Sequence, residues 1–234
     1  MLPAFNLVDE QAGFVVLHKA AGVSFHSDDG AGLVVLAAQQ LGYALYPVHR
    51  LDKVTSGLII LARSSQAAAA LTALFSSHLI DKYYLALSQG KPAKKQGWVK
   101  GDMMPARRGS WKLLSSQHNP AVSYFISQGF SDMPFRAFLI KPYSGKTHQI
   151  RVALKSQGAA ILGDHQYQGA AADRVYLHAY ALRFCLDGTN YQYVLAPTEG
   201  ALYQQLCQSG GLASWVQPWA LSWPDYTLPQ QVSE

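Results

Sequence analysis

Two clusters of ionisable residues in this sequence have spacings that could do chemistry. In "PVHRLDKVTSGLIILA", Pro47 to Ala62, the residues His49, Arg50, Asp52 and Lys53 fall within five positions, directly ahead of an apolar run. A carboxylate on a loop that feeds a buried strand can be held by a rigid scaffold as a reactive group at the rim of a cleft. By spacing alone, the same four residues serve equally well as a surface ion-pair cluster. In "GKTHQIRVALKSQG", His148, Arg151 and Lys155 recur at i, i+3 and i+7, which puts them on one helix face beside an apolar face of Ile150, Ala153 and Leu154. Lys146 and Arg151 stand at or within the first turns, where the helix dipole disfavours cations by a few tenths to about 1 kcal/mol each. An anion is expected to compensate: a carboxylate such as Asp52, a nucleic-acid phosphate, or both, with N–H groups of the helix start as further donors. A solvated basic helix end is the competing reading.

A third feature is "DKYYLAL", where Tyr83 and Tyr84 are neighbours on an expected strand and their rings take opposite faces. Paired tyrosines most often pack a core. A Tyr at a cleft can also stack on a nucleic-acid base, a contact worth about 1 to 3 kcal/mol.

The elements that must position these groups follow from hydrophobic pattern and turn chemistry. "GFVVLHKAAG" reads as a strand, "GLVVLAAQQLG" as a helix stopped by Gly42, and "GLIILA" as a strand buried on both faces. Ser64 offers an N-cap for the alanine-rich helix that follows it. "DKYYLALSQG", "AVSYFISQGF" and "PFRAFLIKPYSG" read as strands, Lys146 to Gly158 as a helix with Thr147 as N-cap, and "DGTN" as the turn of a hairpin. Strand runs broken by a few helices, without βαβ alternation, predict an α+β fold with a large, mixed, mostly antiparallel sheet and flanking helices. A catalytic domain is expected over residues 1–220, as two sub-lobes sharing one sheet, with a basic insertion at about 91–112. A loosely held C-terminal tail is expected over 221–234, where Pro224 and Pro229 lie.

Composition narrows the function classes. The 234 residues carry a formal charge of +5, and the segment from Lys91 to Lys112 holds seven Lys/Arg against one acid, Asp102. The rest of the chain is left with 12 basic and 13 acidic residues of the totals 19 and 14, so the excess charge is local and suits phosphate neutralisation. The other reading of the segment is a solvated loop kept polar. Cys185 and Cys207 show neither CxxC nor zinc spacing, which points to free thiols in a reducing compartment and no metal site. The start "MLPAFNLVDEQAG" lacks a basic n-region and long h-region, and no apolar stretch reaches the roughly 18 residues of a membrane span, so a cytoplasmic location is expected. GxGxxG, GxxxxGK[ST] and HExxH are all missing, which argues against Rossmann and P-loop folds and against a metal-dependent hydrolase built on Asp164-His165.

Taken in order, the motifs resemble the RluA-type family of RNA pseudouridine synthases. "HRLDKVTSGLIILA" is similar to that family's HRLDxxTSGLLLLA pattern, "KYYLAL" to KxYxA, and "GKTHQIRVALKSQGAAILGDHQYQG" to its [RK]THQIRVHLxxxGxPIxGDxxYG element. "GFVVLHKAAGVSFHS" and "LHAYALRF" resemble its opening strand and late segment, so the likeness spans about residues 8–197. Departures are Ala20 where Pro is usual, Ala153 where His is common, and Ala159-Ala160 where Gly-x-Pro is common.

The resemblance implies the pseudouridine synthase fold with a central RNA-binding cleft. It also implies isomerisation of a flipped uridine in ribosomal or transfer RNA, without metal or organic cofactor. On this resemblance Asp52 is the essential carboxylate, Arg151 the arginine that pairs with it, and Tyr84 the ring against the uracil. Arg50 enters the space the base leaves, and Ile150 and Leu154 build an apolar pocket wall. Lys146, His148, Lys94, Lys95, Arg107 and Arg108 are candidates for phosphates, with His49 and Thr55 also expected on the substrate side. The start of the chain implies a form without an N-terminal S4 domain. A monomer that binds RNA, with no role for DNA or a membrane, is expected; a catalytically silent RNA-binding protein of the same fold is the alternative.

Overall fold

The computed structural model describes residues 3–25 and 30–228. In chain order the elements begin with β1 (Phe5–Glu10), β2 (Phe14–Lys19), α1 (Leu33–Leu41), β3 (Tyr46–Pro47), β4 (Ser56–Ala62), α2 (Ser65–Ser76) and β5 (Asp81–Ser88). They continue with β6 (Gln96–Gly101), β7 (Met103–Pro105), β8 (Trp111–Leu113), β9 (Ala121–Gly129), β10 (Arg136–Pro142) and α3 (Gln149–Ser156). The last are β11 (Leu177–Leu186), β12 (Thr189–Val194) and α4 (Ala201–Gln208). The α+β class and the mixed, mostly antiparallel strand pairing expected from the sequence are both present. The chain divides into two compact units, Met1–Lys82 with His178–Glu199, and Tyr83–Leu177 with Gly200–Glu234.

In the first unit, β4 is the organising strand. All seven of its residues are buried, as the unbroken run "GLIILA" predicts. It pairs antiparallel with β2 and β3 and parallel with β11, whose other edge carries β12. Alternation sends Leu58, Ile60 and Ala62 to one face, where they meet Phe14, Val16, Leu71 of α2 and Phe184. Ser64 caps α2 by accepting the Ala67 N–H at 3.1 Å, and Gly42 ends α1 in the left-handed region at φ 81°. The turn between β11 and β12 is the two residues Asp187 and Gly188, both at positive φ, as "DGTN" predicts. The sequence reading did not anticipate β1, β3 or α4. The first explains one departure from the family pattern, since the Ala20 N–H donates to the Ala4 carbonyl at 3.0 Å, a bond that proline cannot make.

In the second unit, β5, β10, β9 and β6 pair antiparallel in that order, with Tyr84 opposite Ile140. The basic segment forms β6 and the antiparallel hairpin β7–β8, whose tip is a single 3₁₀ turn at Arg107–Gly109. Residues 221–228 are held more firmly than a loose tail: Tyr143 Oη donates to the Pro224 carbonyl at 2.6 Å, Trp223 packs on Tyr83, and Tyr226 packs on Trp98. The aromatic rings at Trp223 and Tyr226 supply the anchor that proline content concealed. Pro229 and the rest of the expected tail lie outside the described residues.

Candidate active site

The loop of residues 47–55 is fastened on both sides of Asp52. Ahead of it, His49 Nε2 accepts the Ile60 N–H of β4 at 2.9 Å, and its ring stacks on Phe75 of α2 at 4.2 Å. Burial pushes the imidazole pKa down to about 3, and the Lys82 charge acts in the same direction, so His49 is neutral and an acceptor. Lys82 is itself pushed down to about 8 by burial, against the opposing pull of Asp81.

Behind Asp52, the Lys53 carbonyl accepts the Gly22 N–H at 2.8 Å and Lys19 Nζ at 3.2 Å. Lys19 is fully buried, and its ammonium also donates to the carbonyls of Ala20 and Val23 at 2.9 and 3.0 Å. A buried ammonium needs such a cage of acceptors, and here the cage is the backbone that shapes the loop. Asp52 stays partly exposed between these anchors, with its carbonyl accepting the Thr55 N–H at 3.0 Å; Arg50 is exposed and Thr55 buried.

The start of β4 is fixed by the "LHA" segment. His178 Nε2 lies 2.9 Å from the Leu195 carbonyl and must donate there, which leaves Nδ1 to accept from Ser56 Oγ at 2.8 Å. Gly57, at φ 114°, comes so close to β11 that a Cβ would lie 2.3 Å from the Ala179 carbonyl oxygen. Only glycine satisfies both the backbone angle and this approach.

In the second unit, α3 starts later than the sequence reading placed it. His148, not Thr147, is the N-cap, at φ 57° and without a side-chain cap bond. The reason is Gln149: its Oε1 accepts the Lys146 N–H at 2.9 Å and Ser144 Oγ at 2.8 Å, and its Nε2 donates to the Val122 carbonyl at 3.0 Å. This buried amide ties the helix start to β9 and does the work assigned to Thr147. Lys146 therefore stands before the helix, with Nζ on Asn119 Oδ1 at 2.6 Å.

Arg151 is 4% exposed, and Nε and Nη2 reach the two Asp164 carboxylate oxygens at 2.7 and 2.8 Å. Nη2 also donates to Gln166 Oε1 at 2.8 Å, and the guanidinium lies 4.7 Å above the Tyr167 ring. The anion demanded by a cation near a helix start thus includes Asp164, supplied by the "GDHQYQG" turn. That partner was missed because thirteen residues separate the two and no helical or strand period links them. His148 Nδ1 shares a 2.8 Å hydrogen bond with the Tyr167 hydroxyl, and Lys155 contacts Gln168. Ile150 and Leu154 are buried, and Tyr84 is partly exposed on β5.

Of the basic residues, Lys94, Lys95, Arg107 and Arg108 are exposed. Lys100 instead places Nζ 4.2 Å over Trp98 and 4.1 Å over Tyr226. The hairpin tip is tied to the arginine site, since Gln166 Nε2 donates to the Arg108 carbonyl at 3.1 Å.

Comparisons with known proteins bear on this arrangement. The sequence model of a family described as RNA pseudouridylate synthase matches residues 13–156. The chain is 45% identical over 202 residues, 85% of its length and 90% of the relative's, to an "Uncharacterized RNA pseudouridine synthase" of Haemophilus influenzae. It is 31% identical over 170 residues to the Rickettsia bellii protein named ribosomal large subunit pseudouridine synthase C, covering 69% of this chain and 56% of that one. The solved structure of human RNA pseudouridylate synthase domain containing 1 has a TM-score of 0.73 at 21% identity, over 96% of this chain and 100% of the human one, a likeness of fold.

Proposed function

The chain belongs to the RNA pseudouridylate synthase family, in its RluA-type branch, and from that premise we propose how its own residues isomerise a uridine. The target base leaves the RNA stack, at a cost of a few kcal/mol that is smallest in a loop. The bond from N1 to C1′ breaks, the uracil turns, and C5 bonds to C1′; the C5 proton goes to solvent and N1 gains one, so the reaction is a net isomerisation.

Asp52 supplies the negative charge, either by adding at C1′ or by removing a sugar proton. The observation that carries this role is the double anchoring of its loop: His49 and Lys53 are bound to the core through neutral acceptors, while Asp52 between them is left partly exposed. Arg151, oriented by Asp164, serves the charge of the reacting carboxylate. Tyr84 stacks on the uracil, Ile150 and Leu154 wall its pocket, and Arg50 fills the gap in the RNA. His49 and Thr55 shape the loop on the substrate side. Lys146, His148, Lys94, Lys95, Arg107 and Arg108 meet backbone phosphates.

The substrate class we propose is ribosomal RNA, following the names of the relatives. The same reading has the enzyme acting as a cytoplasmic monomer on RNA, with no role for DNA or a membrane. Among the described residues no helix is long and apolar enough to cross a membrane. We further propose that residues 1–220 act as one catalytic domain. The test is tritium release from total RNA that carries tritium at uracil C5 and comes from cells lacking this gene. Release that persists with a chelator present is expected; no release from any RNA fraction contradicts the proposal and returns the chain to a silent RNA-binding role.

A further inference from the structure

The second unit carries a cavity of about 400 Å³, lined by Asp102, Trp111, His118, Asn119, Lys146 and Thr147. It shares only Lys146 with the residues assigned above, and its size lies within the roughly 300 to 1,000 Å³ of small-ligand sites. Asp102 organises it. Its backbone bonds Ser116 and Leu114 at 2.8 Å each, and its carboxylate accepts the His118 N–H at 3.0 Å and the Asn119 N–H at 2.8 Å. Burial acts to raise the Asp102 pKa, but the hydrogen bonds from His118, Ser116 and Asn119 outweigh it and hold the carboxyl below its usual value.

The wall opposite in chain order is equally fixed. The Trp111 N–H donates to Tyr167 Oη at 2.9 Å, the hydroxyl that also meets His148, and the Tyr167 ring lies beneath the Arg151 guanidinium. The cavity is thus built on the same platform that orients the catalytic arginine. Three features then sit together: a half-buried indole, an acceptor-only carboxylate and an ammonium group at Lys146, beside the exposed cations of the β7–β8 hairpin.

An aromatic base with a phosphate matches this set. Ionised carboxylates have about four lone-pair sites, so three bonds leave Asp102 room for one more donor. Guanine places N–H donors next to a carbonyl oxygen, which suits Asp102 beside Lys146. Adenine has no carbonyl, and uracil, whose N3–H also lies beside a carbonyl, offers the indole only one ring to stack on. We propose that this cavity holds a guanine nucleotide of the substrate RNA, distinct from the target uridine, stacked on Trp111 and read by Asp102. The proposal rests on the RNA reading above and deepens it, by naming a base that selects the substrate.

The full chain, labelled with ¹⁵N, is titrated with GMP, AMP, CMP, UMP and inorganic phosphate while the Trp111 indole and the His118 and Asn119 amide signals are followed. GMP is expected to shift all three saturably in the millimolar range, about tenfold more tightly than AMP through the base-edge contact and more tightly than UMP through the second stacked ring. W111A is expected to lose the GMP shifts at the two amides and W111F to keep most of them, which separates loss of stacking from loss of the fold. Equal shifts with phosphate alone reduce the cavity to an anion site and overturn the proposal, as do AMP or UMP binding as tightly as GMP, or no shift at all. Tritium release is measured on the same sample. Turnover without a GMP response sinks this inference alone; a specific GMP response without turnover sinks the enzymatic reading and leaves the nucleotide site standing.

Discussion

Asp164→Asn keeps the side chain's shape and removes the charge facing Arg151. Both partners are almost wholly excluded from solvent, at 4% and 1% exposure, so water cannot replace the lost carboxylate. Breaking a buried pair by neutralising one member costs about 3 to 5 kcal/mol, because the remaining charge is left uncompensated. Asn retains one acceptor and turns the other position into a donor that faces the guanidinium, so the lower end, about 3 kcal/mol, is expected. In a chain of this size each kcal/mol lowers Tm by roughly 2 to 4 °C, which gives a fall of about 6 to 12 °C in a circular-dichroism melt. The double variant D164N/R151M removes both charges and is expected to recover most of that loss, since a buried pair replaced as a whole is often neutral. It is also expected to be inactive, which separates the structural role of Asp164 from the catalytic role proposed for Arg151. A fall of less than about 2 °C in D164N, or no recovery in the double variant, refutes the reasoning that Arg151 depends on Asp164 for compensation.

Three other outcomes follow. His49 is neutral in the folded protein, with a pKa near 3 against 6.5 for the free side chain, so its contribution to stability is present above about pH 6.5 and is lost as pH falls below that value. Between pH 7.5 and 5.5 the loss is about 1.4 kcal/mol relative to His49→Gln, measured by urea unfolding of both proteins, and parallel pH curves contradict the neutral-acceptor role. Gly57→Ala puts a Cβ against Ala179 at a backbone angle that alanine avoids, and is expected to leave little folded protein or to cost more than about 3 kcal/mol, whereas wild-type stability refutes the close-approach argument. Replacing Lys94, Lys95, Arg107 and Arg108 with Gln is expected to weaken RNA binding across sequences and flatten its dependence on log salt, each lost phosphate contact reducing the slope by about one. An unchanged slope makes the segment a solvated loop.

What was legible in the sequence was local. Ser64 with its alanine-rich helix, the buried run of β4 and the Asp187-Gly188 turn each announce themselves within a few residues, because capping, burial and turn chemistry act at short range. The loop around Asp52 and the helix around Arg151 were found through their motifs. Their supports were not, because Lys19 beneath Lys53, His178 beneath Ser56 and Asp164 beside Arg151 are joined only by the folded chain. Lys19 looked like the end of an apolar strand, and its full burial is what marks it as a structural cation. Thr147 looked like an N-cap because its type is right; the Gln149 amide took the Lys146 N–H instead, which local propensity does not reveal. Helix α4 went unseen because eight residues with only Tyr203 and Leu206 buried leave a weak periodic signal.

The Asp52 carboxylate is the group on which the proposed chemistry depends, and Asp52→Asn tests it most directly by tritium release on the RNA fraction that the wild-type enzyme modifies. The variant is expected to melt within a few degrees of wild type, to bind that RNA with unchanged affinity, and to release no tritium above about a hundredth of the wild-type rate, a loss of at least about 2.7 kcal/mol of transition-state stabilisation. Turnover above about a hundredth of the wild-type rate in a folded, RNA-binding D52N protein would contradict the assignment.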